Sequence, residues 1–486
     1  MGQLSSLLSE RAAELKLIDE KKKIKIGMVS LGCAKNRVDA EIMLGSISEA
    51  GYEITPFEDR ADVIIVNTCG FIDSAKEEAI DAILEAAEMK EKGSAKAVIV
   101  SGCLAQRYGR EILKSLPEVD AVVGAYGYSH ILDAIESVLN RDRKVRTDKE
   151  DAREILKKGN VCYFDDAADF SLGYLDGRRI LTTPASYAYL KIAEGCSNRC
   201  TYCAIPGIRG PYRSRPADKL LEEARGLAAQ GVSEIVVIAQ DTTMYGKDLG
   251  NGDGLPGLLE GLDRIDGIER VRILYLYPDE ITDDILKAVK NCRKTVPYFD
   301  IPLQHISDGV LKRMNRRGNG ALYRKVIEDF RKAFPECVIR TSLITGFPGE
   351  TEEDHRELKE FLKEYKLDKV GVFEYSREEG TPAARMKDQV HPATKKRRRR
   401  ELMEIQNAIS LEKNQSRIGK VYDVTVDGVS EDGMFYKGRS YMEAPEEDGF
   451  IYFAAKEELK TGQTVRVKIV VAEDYDLVGE QIRDED

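Results

Sequence analysis

The chain has 486 residues, 42% hydrophobic and 33% charged, the balance of a globular protein with core enough for about three domains. No apolar run reaches the length of a membrane span, and the opening MGQLSSLLSERAAELKLIDEKKK lacks the apolar stretch of a secretory signal, so a cytoplasmic protein with no membrane partner is expected. A net charge of −11 argues against a large basic nucleic-acid face.

Residues 1–23 read as a polar extension without an assigned role. From Ile24 one unit repeats three times: KIGMVSLGC, DVIIVNTCG and AVIVSGCL are each a β-branched apolar run ending at a Gly- or Thr-containing turn with a cysteine. Helical patterns over Arg37–Ala50 and Ala75–Lys92 separate them. Residues 24–140 are therefore expected to form an α/β domain with a doubly wound parallel sheet. Such sheets carry their chemistry outside the carboxyl ends of the strands, where Cys33, Cys69 and Cys103 all fall. Each alone reads as structural. Three thiols at one edge with no fourth point to a metal cluster with an open position.

Residues 141–183 are charged and weakly periodic, and read as a linker; Cys162, within it, needs no role. Tyr187–Ile192 is a short apolar strand that runs into Cys196, Cys200 and Cys203, spaced CxxxCxxC. Three thiolates on one loop suit three irons of a 4Fe–4S cluster and leave the fourth open for a small molecule. Zinc would call for paired CxxC units or a His pair, and disulfides do not suit a long chain without export signals. Strand patterns recur at 234–240, 270–276, 298–304, 338–347 and 369–376 with helices between. Residues 184–400 thus read as a partial (β/α)6 barrel with its site at the carboxyl-terminal mouth.

The four histidines show no ligand spacing; only His305, beside Gln304, sits at a strand end. KKRRRR, 395–400, opens a helical stretch to about Arg417, with 401–416 as a connecting helix. Such a run is expected to be a solvated face, with a grip on RNA as the alternative. Residues 417–486 read as a small β-barrel of short strands and Gly turns. They hold 9 Lys+Arg against 17 Asp+Glu, a net of −8. That sign repels phosphate and attracts a basic protein.

SLGCAKNRVDAE, NTCGFIDSAKEEAI, SGCLAQRY and YLKIAEGCSNRCTYCAIPGIRG resemble the radical S-adenosylmethionine (SAM) methylthiotransferase family, and the terminal barrel resembles a TRAM domain. The resemblance implies two 4Fe–4S clusters and SAM, the latter as both methyl donor and radical source. Cys196, Cys200 and Cys203 would hold the cluster that cleaves SAM to a 5′-deoxyadenosyl radical. Cys33, Cys69 and Cys103 would hold an auxiliary cluster carrying the sulfur. Expected SAM contacts are Tyr202, Gln240 with Asp241, Gln304, Arg340 and Ser342, with TGFPGET, 345–351, beside adenine. The family needs an electron donor. Within it, the acidic barrel favours the member that inserts a methylthio group at the β-carbon of an aspartate in ribosomal protein S-twelve. The alternatives are a transfer-RNA adenosine methylthiotransferase, which would make RNA contact, and a non-catalytic iron–sulfur carrier.

Overall fold

The computed structural model describes residues 24–140, 161–164, 171–250 and 252–482; the N-terminal extension and most of the segment read as a linker lie outside them. The chain packs as two units. The first ends at Thr182 and takes back Ala204–Pro211, and the second holds Thr183–Cys203 and everything from Tyr212 onward.

The first unit is built on six parallel strands: β1 (Lys25–Ser30), β2 (Glu53–Ile54), β3 (Val63–Thr68), β4 (Ala97–Gly102), β5 (Ala121–Gly124) and β6 (Val161–Tyr163). Their order is β2-β1-β3-β4-β5-β6. Alternate side chains feed opposite faces. Val63 and Ile65 pack with the helices Ala34–Glu49 and Ile131–Leu139, while Ile64 and Val66 pack with Asp73–Glu91 and Cys103–Ser115. Two cores on one sheet make it doubly wound, as expected. The strand β6 departs from the reading of 141–183 as a linker. Three residues are too few to show a period, yet they pair with β5. Cys162 lies in β6, where burial pushes its thiol up to about 11. Farther along the same segment, Arg179 pairs with the buried Glu41 at 2.6 Å and the Thr182 amide donates to it at 2.8 Å.

The second unit's sheet is also parallel and six-stranded, ordered β14-β13-β12-β11-β10-β7. Its strands are β7 (Tyr187–Lys191), β10 (Glu234–Ile238), β11 (Arg270–Ile273), β12 (Thr295–Asp300), β13 (Val338–Thr345) and β14 (Lys369–Glu374). The two-residue strands β8 (Ala193–Glu194) and β9 (Arg213–Ser214) clip the base of the cysteine loop. All six expected strands of the open barrel are present.

The terminal domain closes as β15-β16-β17-β19-β18, comprising β15 (Val421–Val429), β16 (Tyr436–Arg439), β17 (Ile451–Ala454), β18 (Thr464–Ala472) and β19 (Leu477–Gln481). It sits on the amino-terminal ends of the six-stranded sheet. Arg439, fully buried, joins Asp427 at 2.6 Å and Glu234, the first residue of β10, at 2.9 Å. Arg272 completes the network on Glu234 at 2.7 Å. Arg340 reaches Glu447, and Tyr298 donates to Asp448 at 2.6 Å.

This docking corrects the charge argument in part. Asp427, Glu443, Glu446, Glu447 and Asp448 all bond to groups at this junction or to the arginines that build it. Glu431, Asp432, Glu457, Glu458, Glu473 and Asp474 remain exposed. The basic run differs too. Its helix spans Pro392–Gln415, beginning before the expected connecting helix, and Arg398 is 3% exposed with Glu350 and Glu352 as partners. Arg397 also pairs with Glu352, Lys395 donates to the Tyr375 carbonyl, and Arg399 donates to the Val372 carbonyl. Arg398 forms a seam with the sheet domain, while Lys396, Arg399 and Arg400 stay exposed, so the expected solvated face holds for half of the run.

Candidate functional site

In the first unit, β1, β3 and β4 are neighbours, so their carboxyl ends stand side by side. Cys69 directly follows β3, Cys103 directly follows β4, and Cys33 lies in the turn after β1. Burial comes first for Cys69, pushing it up to about 12, with Cys103 and Cys33 adding to it. Two glycines make the approach possible. Gly32 and Gly102 both have positive φ, 88° and 95°, just before Cys33 and Cys103. A Cβ on Gly32 would sit 2.7 Å from Cys69 Cβ, and one on Gly102 would sit 2.4 Å from the Thr68 carbonyl oxygen. Any side chain there would displace the cysteine turns.

Asn36 laces this edge together. Its Nδ2 donates to the Leu31 carbonyl at 2.6 Å, and its own carbonyl accepts from Asn67 at 2.9 Å. Arg209 is 2% exposed and lies within the returning segment Ala204–Pro211. Its Nε and NH2 donate to Cys103 Sγ at 3.3 and 3.2 Å, and its NH1 to Asp39 at 2.6 Å. Among the described residues no three Cys, His, Asp or Glu side chains form a site for a single metal ion. In an iron–sulfur cluster each cysteine takes a different iron, so the three thiols need not converge on one point. The donor set and the buried cation fit such a cluster.

In the second unit β7 leads through β8 into Cys196, Cys200 and Cys203. The loop is tied down along its length. The Cys203 amide donates to the Cys200 carbonyl at 3.1 Å, Thr201 donates to the Met314 and Arg313 carbonyls, and Asn315 donates to the Arg199 carbonyl at 2.8 Å. Burial pushes Cys196 up to about 11. Arg316, 7% exposed, directs NH1 at Cys200 Sγ from 3.8 Å, donates NH2 to the Pro302 carbonyl at 2.6 Å and stacks on Tyr277. Its Nε has no partner. A cavity of about 320 Å³ opens here, lined by Cys200, Tyr277, Asp279 and Arg316 among others. A buried guanidinium beside a thiol, in an open cavity, fits a cluster held by thiolates.

The expected SAM contacts divide. Gln240 donates to Glu194 Oε1 at 3.1 Å while its Oε1 is buried without a partner. Glu194 also pairs with Lys191. Asp241, raised by burial, accepts from Asn198 of the cysteine loop at 2.7 Å. Gln304 holds φ of 69°, with Tyr275 at 63° and Asn315 at 55°. Tyr275 and Gln304 follow the carboxyl ends of β11 and β12, and Asn315 bonds the cysteine loop. Left-handed backbone in three non-glycine residues is costly, and such residues cluster at functional sites. Ser342 gives its carbonyl to the Gln304 amide at 2.9 Å. Tyr202 packs against Val310, Met314, Phe347 and Tyr375 and anchors the loop.

Arg340 is a correction. Among the expected SAM contacts, it instead meets two carboxylates of this chain, Asp300 at 2.9 Å and Glu447, near the amino-terminal end of β13. His305 is wholly buried, accepts from the Ser307 amide at 3.0 Å, and is pushed down to about 3 by burial, so it serves the core. Arg209, Arg316 and Glu194 escaped sequence reasoning. Closeness to the CxxxCxxC loop in the chain could have marked Glu194 and Arg209; Arg316, far beyond it in sequence, carried no such signal.

The comparisons with known proteins follow this geometry. The uncharacterized protein family UPF0004 matches residues 25–124, the radical SAM superfamily matches 190–362 and the TRAM domain matches 418–482. The chain is 50% identical over 462 residues to the ribosomal protein uS12 methylthiotransferase RimO of Acetivibrio thermocellus, covering 95% of this chain and 99% of the relative. It is 49% identical to the protein of the same name in Lachnoclostridium phytofermentans, covering 94% and 99%. Among solved structures, the radical SAM methyltransferase TsrM of Kitasatospora setae matches with a TM-score of 0.53 at 12% identity, over 82% of this chain and 76% of that one. That last likeness concerns the fold alone.

Proposed function

This chain belongs to the family of ribosomal protein uS12 methylthiotransferases, and from that premise we propose how its residues share the work. Its activity is that of a radical SAM methylthiotransferase acting on uS12. The observation that carries this is near-complete coverage at half identity, with relatives that bear that one name. The transfer-RNA reading is not favoured.

A radical SAM domain implies a 4Fe–4S cluster and SAM. The finer assignment is ours: Cys196, Cys200 and Cys203 hold that cluster, and Cys33, Cys69 and Cys103 hold a second. When bound, these groups supply one-electron chemistry together with the sulfur and methyl, because an unactivated C–H bond gives acids and bases no foothold. The methylthio group goes to the β-carbon of an aspartate.

The protein's part is placement. Three strand ends and two positive-φ glycines present the first thiols. The loop tied by Thr201, Asn315 and Tyr202 presents the second set. Gln240, Asp241, Gln304 and Ser342, at or beside the carboxyl-terminal edge of the sheet, contribute polar contacts for SAM, and Arg316 steadies Cys200. Residues 24–140 with their return segment form the sulfur-donating part, 184–400 the radical-forming part, and the barrel of Val421–Gln481 within 417–486 braces the sheet from below. An electron donor is required, and the exposed acids of the barrel suit a basic protein substrate better than RNA.

Iron and sulfide counts test the two-cluster assignment. The anaerobically reconstituted chain should hold about eight irons, and either triple Cys→Ala variant about four. Eight irons retained after removal of Cys33, Cys69 and Cys103 would refute the first site.

A further inference from the structure

We propose that Arg209 is a positioning residue of the first unit's cluster, although it follows the second unit's cysteine loop in sequence. The inference rests on the reading that Cys33, Cys69 and Cys103 hold a cluster. Arg209 ends the short helix Ile205–Arg209, which packs against the helix Cys103–Ser115. Its side chain is 2% exposed and fully engaged. NH1 takes Asp39 at 2.6 Å; NH2 takes Asn36 Oδ1 at 3.1 Å and lies 3.4 Å from the Tyr128 hydroxyl. Nε and NH2 together fork onto Cys103 Sγ at 3.3 and 3.2 Å.

A buried Arg–Asp pair alone would be weak evidence of function. The fork is different. A neutral thiol is a poor acceptor, and two guanidinium donors aimed at one sulfur are wasted on it. On a thiolate the same two contacts are charge-assisted and strong. The fork thus suits a Cys103 sulfur bound as a thiolate. Arg209 fixes where its sulfur points and offsets the negative charge of the cluster it binds. Lysine would keep the charge but not the fork.

The test uses the full chain with Cys196, Cys200 and Cys203 replaced by Ala, so that only the first site can hold iron. Arg209, Arg209→Lys and Arg209→Met forms are reconstituted anaerobically, then compared by iron retention against a chelator and by electrochemical titration followed by electron paramagnetic resonance. The Met form should lose iron roughly 10- to 100-fold more readily, the usual cost of removing an outer partner of a ligand. Its midpoint potential should move to more negative values, since a buried positive charge favours the added electron. The Lys form should fall between. Should the Met form fail to fold by thermal melting, the Lys form still decides, because a lost fork alone must loosen the iron. Unchanged retention and potential in the variants would overturn the proposal and leave the cluster assignment standing. A parent chain that takes up no iron would remove the assignment, and the proposal with it.

Discussion

At the scale of single residues, the cysteines carry the account and the arginines correct it. Cys200→Ala should abolish reductive cleavage of SAM, read as loss of 5′-deoxyadenosine by chromatography; undiminished cleavage would refute the loop assignment. Arg340→Ala should leave SAM cleavage by the folded protein intact but destabilise the second unit. It strands the buried Asp300, a loss of about 3 kcal/mol, visible in urea denaturation. Weakened SAM affinity at unchanged stability would restore the reading that the ion pairs overturned. The six cysteines could be nominated from the sequence because a thiol at a strand end or in a CxxxCxxC run is a candidate cluster ligand. Arg209 and Arg316 could not. A guanidinium acquires its meaning from its partner, and Cys103 lies 106 positions from Arg209 in the chain.

At the scale of elements, β1, β3 and β4 of the first sheet and all six strands of the second were readable from β-branched runs, whereas β2, β5 and β6, with two, four and three residues, were too short to show themselves. The docking of the terminal barrel was equally hidden. It is made of charges, and alternation along a strand says nothing about which acid meets which base. That junction has a pH signature. Burial would raise Glu234, but Arg439, Arg272 and Arg270 outweigh it and hold the carboxyl at about 2; Glu443 is likewise buried, with Arg417 holding it at about 2. Both are depressed from 4.5. Their contribution is therefore fully present above about pH 4.5 and is lost as pH falls toward 2. Each group accounts for at most about 3 kcal/mol. Thermal melts at pH 7, 4 and 3 should show the second unit weakening steeply over that window. Glu234→Gln should be less stable at pH 7 and flatter in its pH dependence. A slope identical to that of the native chain would mean that the network does not hold the barrel.

For the whole molecule, the order of parts followed from composition and punctuation alone: a repeated strand–helix unit, a cysteine loop opening a second such series, and a final run of short strands. The substrate was harder to reach. The charge of residues 417–486 pointed toward a basic protein, yet several of those acids are spent on docking, so the inference now rests on the exposed remainder and on the relatives. The basic run has partners of its own as well: Arg397, Arg398 and Arg399 engage the sheet domain, while Lys396 and Arg400 stay exposed without a part in it. What separates the remaining readings most directly is the identity of the product. The reconstituted enzyme, with SAM, sulfide and a reductant, should be offered uS12 and unmodified transfer RNA in parallel, and both analysed by mass spectrometry. The account predicts a methylthio mass gain on an aspartate-containing peptide of uS12 and none on the RNA. A gain on adenosine with uS12 untouched would contradict it.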